Sequence, residues 1–351
     1  MQAKFKSHDI ELPKKVVVGD DIIYSLPEYL NSLALEGPYV IVCGSNKTKD
    51  VAKEVSSYLK DFHIFNISIA NIEAVESVET LIRETRSKTV IGVGGGKAID
   101  VAKHSAFKSN TKFVSLPTSP SHDGITSPFA SIKGLGKPIS VRSKMPELIF
   151  IDLKVLYSAP QRLIRAGFGD VLGKFTSVLD WKLAHKLHGE YYGGYSATLA
   201  LMSAKHIYKS TNIIKKDYKE GLRILVEALI SSGVAMGIAG STRPASGSEH
   251  LFAHAVEVLA KEKDLLHGEL VALGTIMMAY LHNISWAKIR KKMKVIGLPV
   301  KAKEIGLSNE TIIKALTMAH LIRPERYTIL GERGLTEEAA EKLAIETGVI
   351  D

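Results

Sequence analysis

Cysteine is almost absent from the 351 residues: Cys43 stands alone. No internal disulfide can form, which suits a reducing cytoplasm. Cys43 lies in the apolar run Tyr39-Val-Ile-Val-Cys43, where a thiol reads as a small core residue and not as a nucleophile. Aromatics are scarce as well, at 7% of the chain, and few of them sit among the lysines. Nucleic-acid platforms need rings and bases interleaved. The net charge of +9, from 46 Lys and Arg against 37 Asp and Glu, therefore reads as a diffuse field that attracts small anions, and no nucleic-acid partner is expected. Long apolar runs are missing too. No stretch approaches the roughly eighteen residues of a membrane span, so no membrane insertion is expected. The opening Met1-Gln-Ala-Lys-Phe-Lys-Ser-His8 has no apolar core of a secretory signal. A cytoplasmic protein is the expectation.

What the chain does contain begins with alternation. Apolar runs at 15–19, 39–43, 63–69, 89–93, 112–116 and 148–152 read as strands, with helical periodicity between them at 22–35, 51–59 and 73–85. Such alternation implies βαβ units, a mainly parallel sheet and helices on both faces. Around 128–141 the glycines and a proline suggest a β-hairpin. Beyond about residue 155 strand signals stop, and helical periodicity appears at 160–187, 196–211, 220–238, 248–261, 269–282, 309–320 and 335–347. The expectation is a Rossmann-like α/β dinucleotide-binding domain over 1–155. An all-α domain that binds metal and substrate follows over 156–351, with the ligand cleft between them.

One stretch organises the first half: Ile91-Gly-Val-Gly-Gly-Gly-Lys-Ala-Ile-Asp100. A buried strand runs into the contiguous Gly94, Gly95 and Gly96, and an amphipathic helix starts at Lys97. Glycine lets backbone turn sharply and approach a ligand with no Cβ in the way. A helix N-terminus placed there aims free N–H groups at an anion, a phosphate or pyrophosphate by nature. The spacing is not G-x-G-x-x-G, and a tight strand-to-helix turn is the plainer reading. After the next strand comes Leu116-Pro-Thr-Ser-Pro-Ser-His-Asp-Gly-Ile-Thr-Ser127. It is either a turn-rich loop or a cofactor contact through Thr118, Ser119 and Ser121, with Asp123 on a substrate hydroxyl.

The helical half carries the metal candidates. Asp170 lies in Ala166-Gly-Phe-Gly-Asp170, and His267 in Leu265-Leu-His-Gly-Glu269. His250 and His254 are four apart and share one helix face. One carboxylate and two of these imidazoles would make a zinc set with a coordination position left open. Ordinary capping or solvent-facing histidines are the alternative.

Taken in order, the glycine stretch, Pro117-Thr-Ser-Pro-Ser-His-Asp123, Asp170, His250, His254 and His267-Gly-Glu269 resemble the superfamily of iron-containing alcohol dehydrogenases, glycerol dehydrogenases and dehydroquinate synthases. Within it, Ser121-His-Asp-Gly-Ile-Thr-Ser-Pro-Phe-Ala-Ser-Ile132 and Arg323-Pro-Glu-Arg-Tyr-Thr-Ile-Leu330 are similar to the archaeal sn-glycerol-1-phosphate dehydrogenases. The resemblance implies a dehydroquinate synthase-like fold. It places Gly94, Gly95, Gly96, Lys97, Ala98, Ile99 and Asp100 at the dinucleotide phosphates, and Thr118, Ser119, Pro120, Ser121 and Ser127 also on the cofactor. Asp170, His250 and His267 match the metal ligands, with Zn2+ expected. Asp123 and His254 match positions that touch substrate, and with Asp170 they form the catalytic set. The implied reaction is reduction of dihydroxyacetone phosphate, a small phosphorylated triose, to sn-glycerol 1-phosphate for archaeal phospholipid synthesis, in a homo-oligomer.

One departure bears on the cofactor. Where the family often has an acid for the adenosine ribose, this chain has Gly44-Ser-Asn-Lys-Thr48. Lys47 can neutralise a 2′-phosphate, so NADPH is expected to serve as well as NADH. No pattern identifies a pocket for the substrate phosphate. A polyol dehydrogenase on the same scaffold and a non-catalytic nucleotide-binding protein stay open as alternatives.

Overall fold

The computed structural model describes residues 9–134, 140–261 and 263–351. Six parallel strands form the main sheet: β1 (Lys15–Gly19), β2 (Tyr39–Cys43), β3 (Phe62–Asn66), β4 (Thr89–Gly94), β5 (Lys112–Pro117) and β8 (Leu148–Asp152), in the spatial order β1-β8-β5-β4-β2-β3. The short strands β6 (Phe129–Ser131) and β7 (Ser140–Arg142) pair antiparallel as the expected hairpin, whose connection at 135–139 lies outside the described residues. β2, β4 and β8 are buried along their whole length. That is why they read as unbroken apolar runs and not as alternating ones.

Successive side chains of a strand face opposite sides, and the two sides feed different cores. Val40, Val42, Val90 and Ile149 pack with α3 (Ile72–Thr85) and α4 (Gly96–Lys108). Ile41, Cys43, Ile91, Val93 and Phe150 pack with α1 (Leu26–Ser32) and α2 (Lys47–Ser57). The chain leaves β2 toward β3 and leaves β4 in the opposite direction, toward β5. The point of reversal opens a crevice at the carboxyl ends of β2 and β4, where such sheets take their ligands.

After β8 every element among the described residues is helical: α5 (Leu153–Tyr157), α6 (Gln161–Leu172), α7 (Lys174–His188), α8 (Gly194–Lys216), α9 (Tyr218–Ala239), α10 (Ser248–Leu259), α11 (His267–Leu281), α12 (Trp286–Val295), a 3-10 turn (Ala302–Ile305), α13 (Asn309–Ile322) and α14 (Glu337–Glu346). The core below α3 and α4 continues into Leu225, Leu251 and Leu273 of this half, so the two halves share buried apolar surface. Three expectations need correction. The periodicity over 160–187 hides a break at Gly173, which separates α6 from α7. α12 was not anticipated. By length and composition α9 does qualify to cross a membrane, yet 67% of its most apolar window is buried inside the protein, so it serves here as a core helix.

Candidate active site

β4 ends at Gly94, Gly95 caps the helix, and α4 opens at Gly96. The first bond of the new helix runs from Ile99 N to Gly95 O, at 3.2 Å. The N–H groups of Gly96, Lys97 and Ala98 are therefore without helical partners and face the crevice end as an anion seat. Gly96 has a specific reason to lack a side chain: a Cβ there would lie 1.9 Å from His122 Nε2. His122, which the sequence reading left unassigned, folds over the glycine turn and is held by Gly124 N–H, which donates to its Nδ1 at 2.9 Å. The loop after β5 is tied to the same turn, since Thr118 N donates to Gly94 O at 2.9 Å. Ser119 is buried beside Gly95, and Ser121 is half-buried. The carbonyl of Pro120 packs on α6 at Gly167, where a Cβ would meet it at 1.9 Å. Lys47 is the exposed first residue of α2, at the β2 side of the crevice.

Several expected cofactor contacts are turned inward. The side chains of Ala98 and Ile99 are buried in the core, so only their backbone can serve a phosphate. Asp100 is also buried: one carboxylate oxygen accepts from Ser131 N (3.0 Å) and the other faces Lys103 Nζ (3.4 Å). An acid there would repel a pyrophosphate, and the structure instead uses it to hold the hairpin. Ser127 is 1% exposed, and its hydroxyl closes a local turn with Phe129.

Across the crevice α6, α10 and α11 bring together Asp170, His250 and His267, whose candidate donor atoms all lie within 4.8 Å of one another. Two glycines permit this. A Cβ at Gly169 would lie 2.1 Å from Gly268 O, and one at Gly268 would lie 1.9 Å from Ala166 O. With neither present, the start of α11 rests directly on the backbone of α6, and His267 arrives beside Asp170.

Each donor is anchored at its other end. Asp170 Oδ2 accepts from Lys174 Nζ (3.0 Å) and Asp123 N (3.2 Å), which leaves Oδ1 facing His250 Nε2 at 3.4 Å. His250 Nδ1 meets Glu249 Oε1 at 2.7 Å, and His267 Nδ1 meets Glu257 Oε1 at 2.8 Å. Carboxylates at Nδ1 fix both rings with Nε2 directed inward, the usual support of metal-ligating histidines. Glu257 also holds His254 Nδ1, through its second oxygen at 2.8 Å. The His254 and His267 rings lie 5.1 Å apart, and His254, Glu257 and His267 form a second possible donor group that shares His267. Asp123, at the start of a 3-10 turn, receives Lys174 Nζ at 2.8 Å and Ser232 Oγ at 2.6 Å. Lys174, Glu249, Glu257 and Ser232 were not anticipated. The only signals were spacings of four residues from Asp170 to Lys174 and three from His254 to Glu257.

The electrostatics are those of a cation site. Four carboxylates (Asp123, Asp170, Glu249 and Glu257) surround one ammonium, Lys174, and three imidazoles. Burial pushes the Asp170 carboxyl up, but Lys174 and His250 outweigh it and hold the group well below its usual range. Glu257 is likewise raised by burial and lowered further by His267 and His254, to well below its usual range. Lys174 loses to burial but gains more from Asp123 and Asp170, so its ammonium is reinforced. Burial pushes His250 down, yet its bonds to Asp170 and Glu249 raise it overall: the cluster pulls positive charge toward the His250 ring. His254 is pushed down by burial more than Glu257 raises it, which favours the neutral ring. Two imidazole nitrogens and a carboxylate oxygen in a site with surplus negative charge suit a divalent cation such as zinc.

The pattern of the family described as iron-containing alcohol dehydrogenase matches residues 17–160. The glycerol-1-phosphate dehydrogenase [NAD(P)+] of Sulfurisphaera tokodaii is 61% identical over 350 residues, covering 99% of this chain and 100% of the relative. That of Sulfolobus acidocaldarius is 58% identical, with 99% of each chain covered. Among solved structures, a probable glycerol dehydrogenase from Sinorhizobium meliloti superposes with a TM-score of 0.79 at 21% identity, covering 97% of this chain and 98% of the other. A sulfoacetaldehyde reductase from Bifidobacterium kashiwanohense, in complex with NAD+, gives 0.76 at 16% identity, covering 99% and 100%. Identities that low speak for the fold alone. At the identity and coverage of the first two relatives, the chain belongs to the glycerol-1-phosphate dehydrogenase family, on the fold of the iron-containing alcohol dehydrogenases.

Proposed function

We propose that the protein reduces dihydroxyacetone phosphate to sn-glycerol 1-phosphate with NADPH or NADH, that zinc is its metal, and that its product supplies an archaeal phospholipid backbone in the cytoplasm. The observation that carries this reading is the convergence of Asp170, His250 and His267, each anchored from behind, across the crevice from the glycine-capped start of α4. Zinc would be held by Asp170 Oδ1 and the Nε2 atoms of His250 and His267. The chemistry a bound zinc supplies is Lewis-acid polarisation of the C2 carbonyl, and that of a reduced nicotinamide is the hydride.

The chain's own residues do the rest. The N–H groups of Gly96, Lys97 and Ala98 seat the dinucleotide phosphates, with Gly94, Gly95, Thr118, Ser119 and Ser121 shaping the same surface. Lys174 and Ser232 hold the Asp123 side chain in place, so that its carboxylate can hold a substrate hydroxyl. His254, kept neutral by burial with its Nδ1–H donated to Glu257, relays to the product oxygen a proton that its bare Nε2 takes up from solvent. Lys47 faces the adenosine 2′ position and favours NADPH. We also infer that the protein works as a homo-oligomer.

The test is NADPH oxidation by the purified protein with dihydroxyacetone phosphate and, in parallel, with dihydroxyacetone. The expected result is turnover that strongly favours the phosphorylated ketone, is lost on chelation and returns with zinc. Preference for the unphosphorylated ketone would move the protein to the polyol dehydrogenases, and no turnover despite bound zinc would leave a nucleotide-binding scaffold.

A further inference from the structure

The segment Arg323-Pro-Glu-Arg-Tyr-Thr-Ile-Leu330 takes no part in the reaction outlined above. It follows α13 and packs against the loop 240–247, which leads into α10. Three guanidiniums meet there. Arg243 is 3% exposed. Its Nε donates to Glu190 Oε1 at 2.6 Å, its Nη2 donates to the other oxygen of Glu190, and its Nη1 donates to Tyr327 O at 2.9 Å. Arg326 donates to two neutral acceptors, Ser246 O and Thr242 Oγ1, both at 2.7 Å. Arg323 is 6% exposed, makes no side-chain hydrogen bond or ion pair among the described residues, and buries its Nε without a partner.

The cluster is therefore short of negative charge. Among the described residues only Glu190 forms an ion pair in it, and that carboxylate is bound to Arg243; Glu325 lies exposed. Burial, with repulsion from Arg323 and Arg243, pulls Arg326 down to about 9, far from the range of a free guanidinium. Burial lowers Arg323 as well. Arginine does not escape the cost of burial by losing its proton at neutral pH, and an unpaired buried charge is among the most destabilising features a fold can carry. A cation in that position calls for an anion, and the planar fork of arginine matches tetrahedral oxyanions.

We propose that Arg323, Arg326 and Arg243 form a binding site for a phosphate-type oxyanion, with Arg323 as its uncommitted prong. The same chemistry could arrive as the phosphate of the substrate or as free phosphate; only the first of these rests on the enzymatic reading. Because Arg326 grips Ser246 and Thr242, the site is fastened to the loop from which α10 springs. An occupied site would steady the helix that carries His250 and His254.

The test is thermal unfolding of the full chain in phosphate-free buffer, with inorganic phosphate or with sodium chloride at matched ionic strength. Wild type, Arg323→Gln, Arg323→Lys and Lys342→Gln, the last on an exposed face of α14, are compared. Phosphate is expected to raise the wild-type midpoint above that in chloride, as a ligand of the native state must. The rise should vanish in Arg323→Gln, shrink in Arg323→Lys and persist in Lys342→Gln. Steady-state kinetics then separates the sources. A KM for dihydroxyacetone phosphate raised about tenfold or more in Arg323→Gln, as for a lost charged hydrogen bond, with an unchanged KM for dihydroxyacetone, assigns the site to the substrate. Unchanged KM values, with the phosphate effect on unfolding lost, assign it to free phosphate. No specific phosphate effect in wild type, or an equal effect in wild type and Arg323→Gln, overturns the proposal. So does closure of the cluster by a carboxylate of a second copy, which would leave phosphate without effect.

Discussion

Glu257 does two things with one carboxylate. Its oxygens hold the Nδ1 atoms of His254 and His267 at 2.8 Å each, so a candidate ligand and a candidate substrate contact are oriented by the same side chain. Glu257→Gln keeps the shape but offers only one acceptor oxygen, so one ring must lose its anchor. The expected outcome is a loss of about 10- to 100-fold in zinc affinity, the range for such supporting residues, read by competition with a chromophoric chelator while the far-ultraviolet spectrum stays native. His267→Ala, which removes a donor atom outright, and Asp170→Asn, which removes the charge of the carboxylate donor, should retain no zinc on dialysis. Lys47 is a residue of another kind, exposed and without a structural task. Lys47→Ala should raise the KM for NADPH by about tenfold, the worth of roughly 1.4 kcal/mol, and leave that for NADH unchanged. Equal effects on the two cofactors would remove Lys47 from any part in reading the 2′-phosphate.

Among the elements, β8 and its neighbours show how one acid can fasten a sheet edge. Asp152 ends β8 opposite Gly19 of β1, and its carboxylate accepts from the N–H groups of Asp21, Ile22, Ile23, Lys154 and Val155. It thus caps α5 and secures the exit of the edge strand together. Asp152→Ala should lower stability by about 3 kcal/mol, since buried N–H donors lose their acceptor, and denaturant unfolding would measure it. β2, β4 and β8 were legible in the sequence because burial on both faces writes them as unbroken apolar runs. α12 was not, because only Ile289 and Met293 of its ten residues are buried, a stripe too narrow to stand out among lysines. Gly173 went unseen as a break because the apolar period continues through it from α6 into α7. At the site, the glycine turn was legible from its composition. Asp170, His250 and His267 could be read from residue type only as candidates among several, as they come from three helices, and it was the resemblance that grouped them as one set. Glu249, Glu257 and Lys174 were hidden for a plainer reason: charged residues at helical spacing look like a solvated face until tertiary structure buries them. Asp100 and Ser127 show a further limit of sequence patterns, which give a polar residue's place in a stretch but not its burial or its bonds to neighbouring backbone.

For the whole molecule, the important junction is α6. The loop carrying Pro120 presses on it at Gly167, from the cofactor side, and the start of α11 presses on it at Gly169, from the metal side. Both contacts are made against bare backbone, with no flexible side chain between to absorb a shift, and close-packed interiors transmit such shifts. A dinucleotide seated at the glycine turn and a cation held by Asp170, His250 and His267 would therefore press on the same helix. Whatever factor a bound dinucleotide applied to the dissociation constant of a metal there, the metal would have to apply to that of the dinucleotide, and the shared helix predicts a factor different from one. Zinc titrations with and without saturating NADP+ would give its size. If the factor favours joint binding, shortage of the metal would loosen the hold on coenzyme as well, and abundant coenzyme would lower the metal level at which the protein loads; a factor of the opposite sign would reverse both.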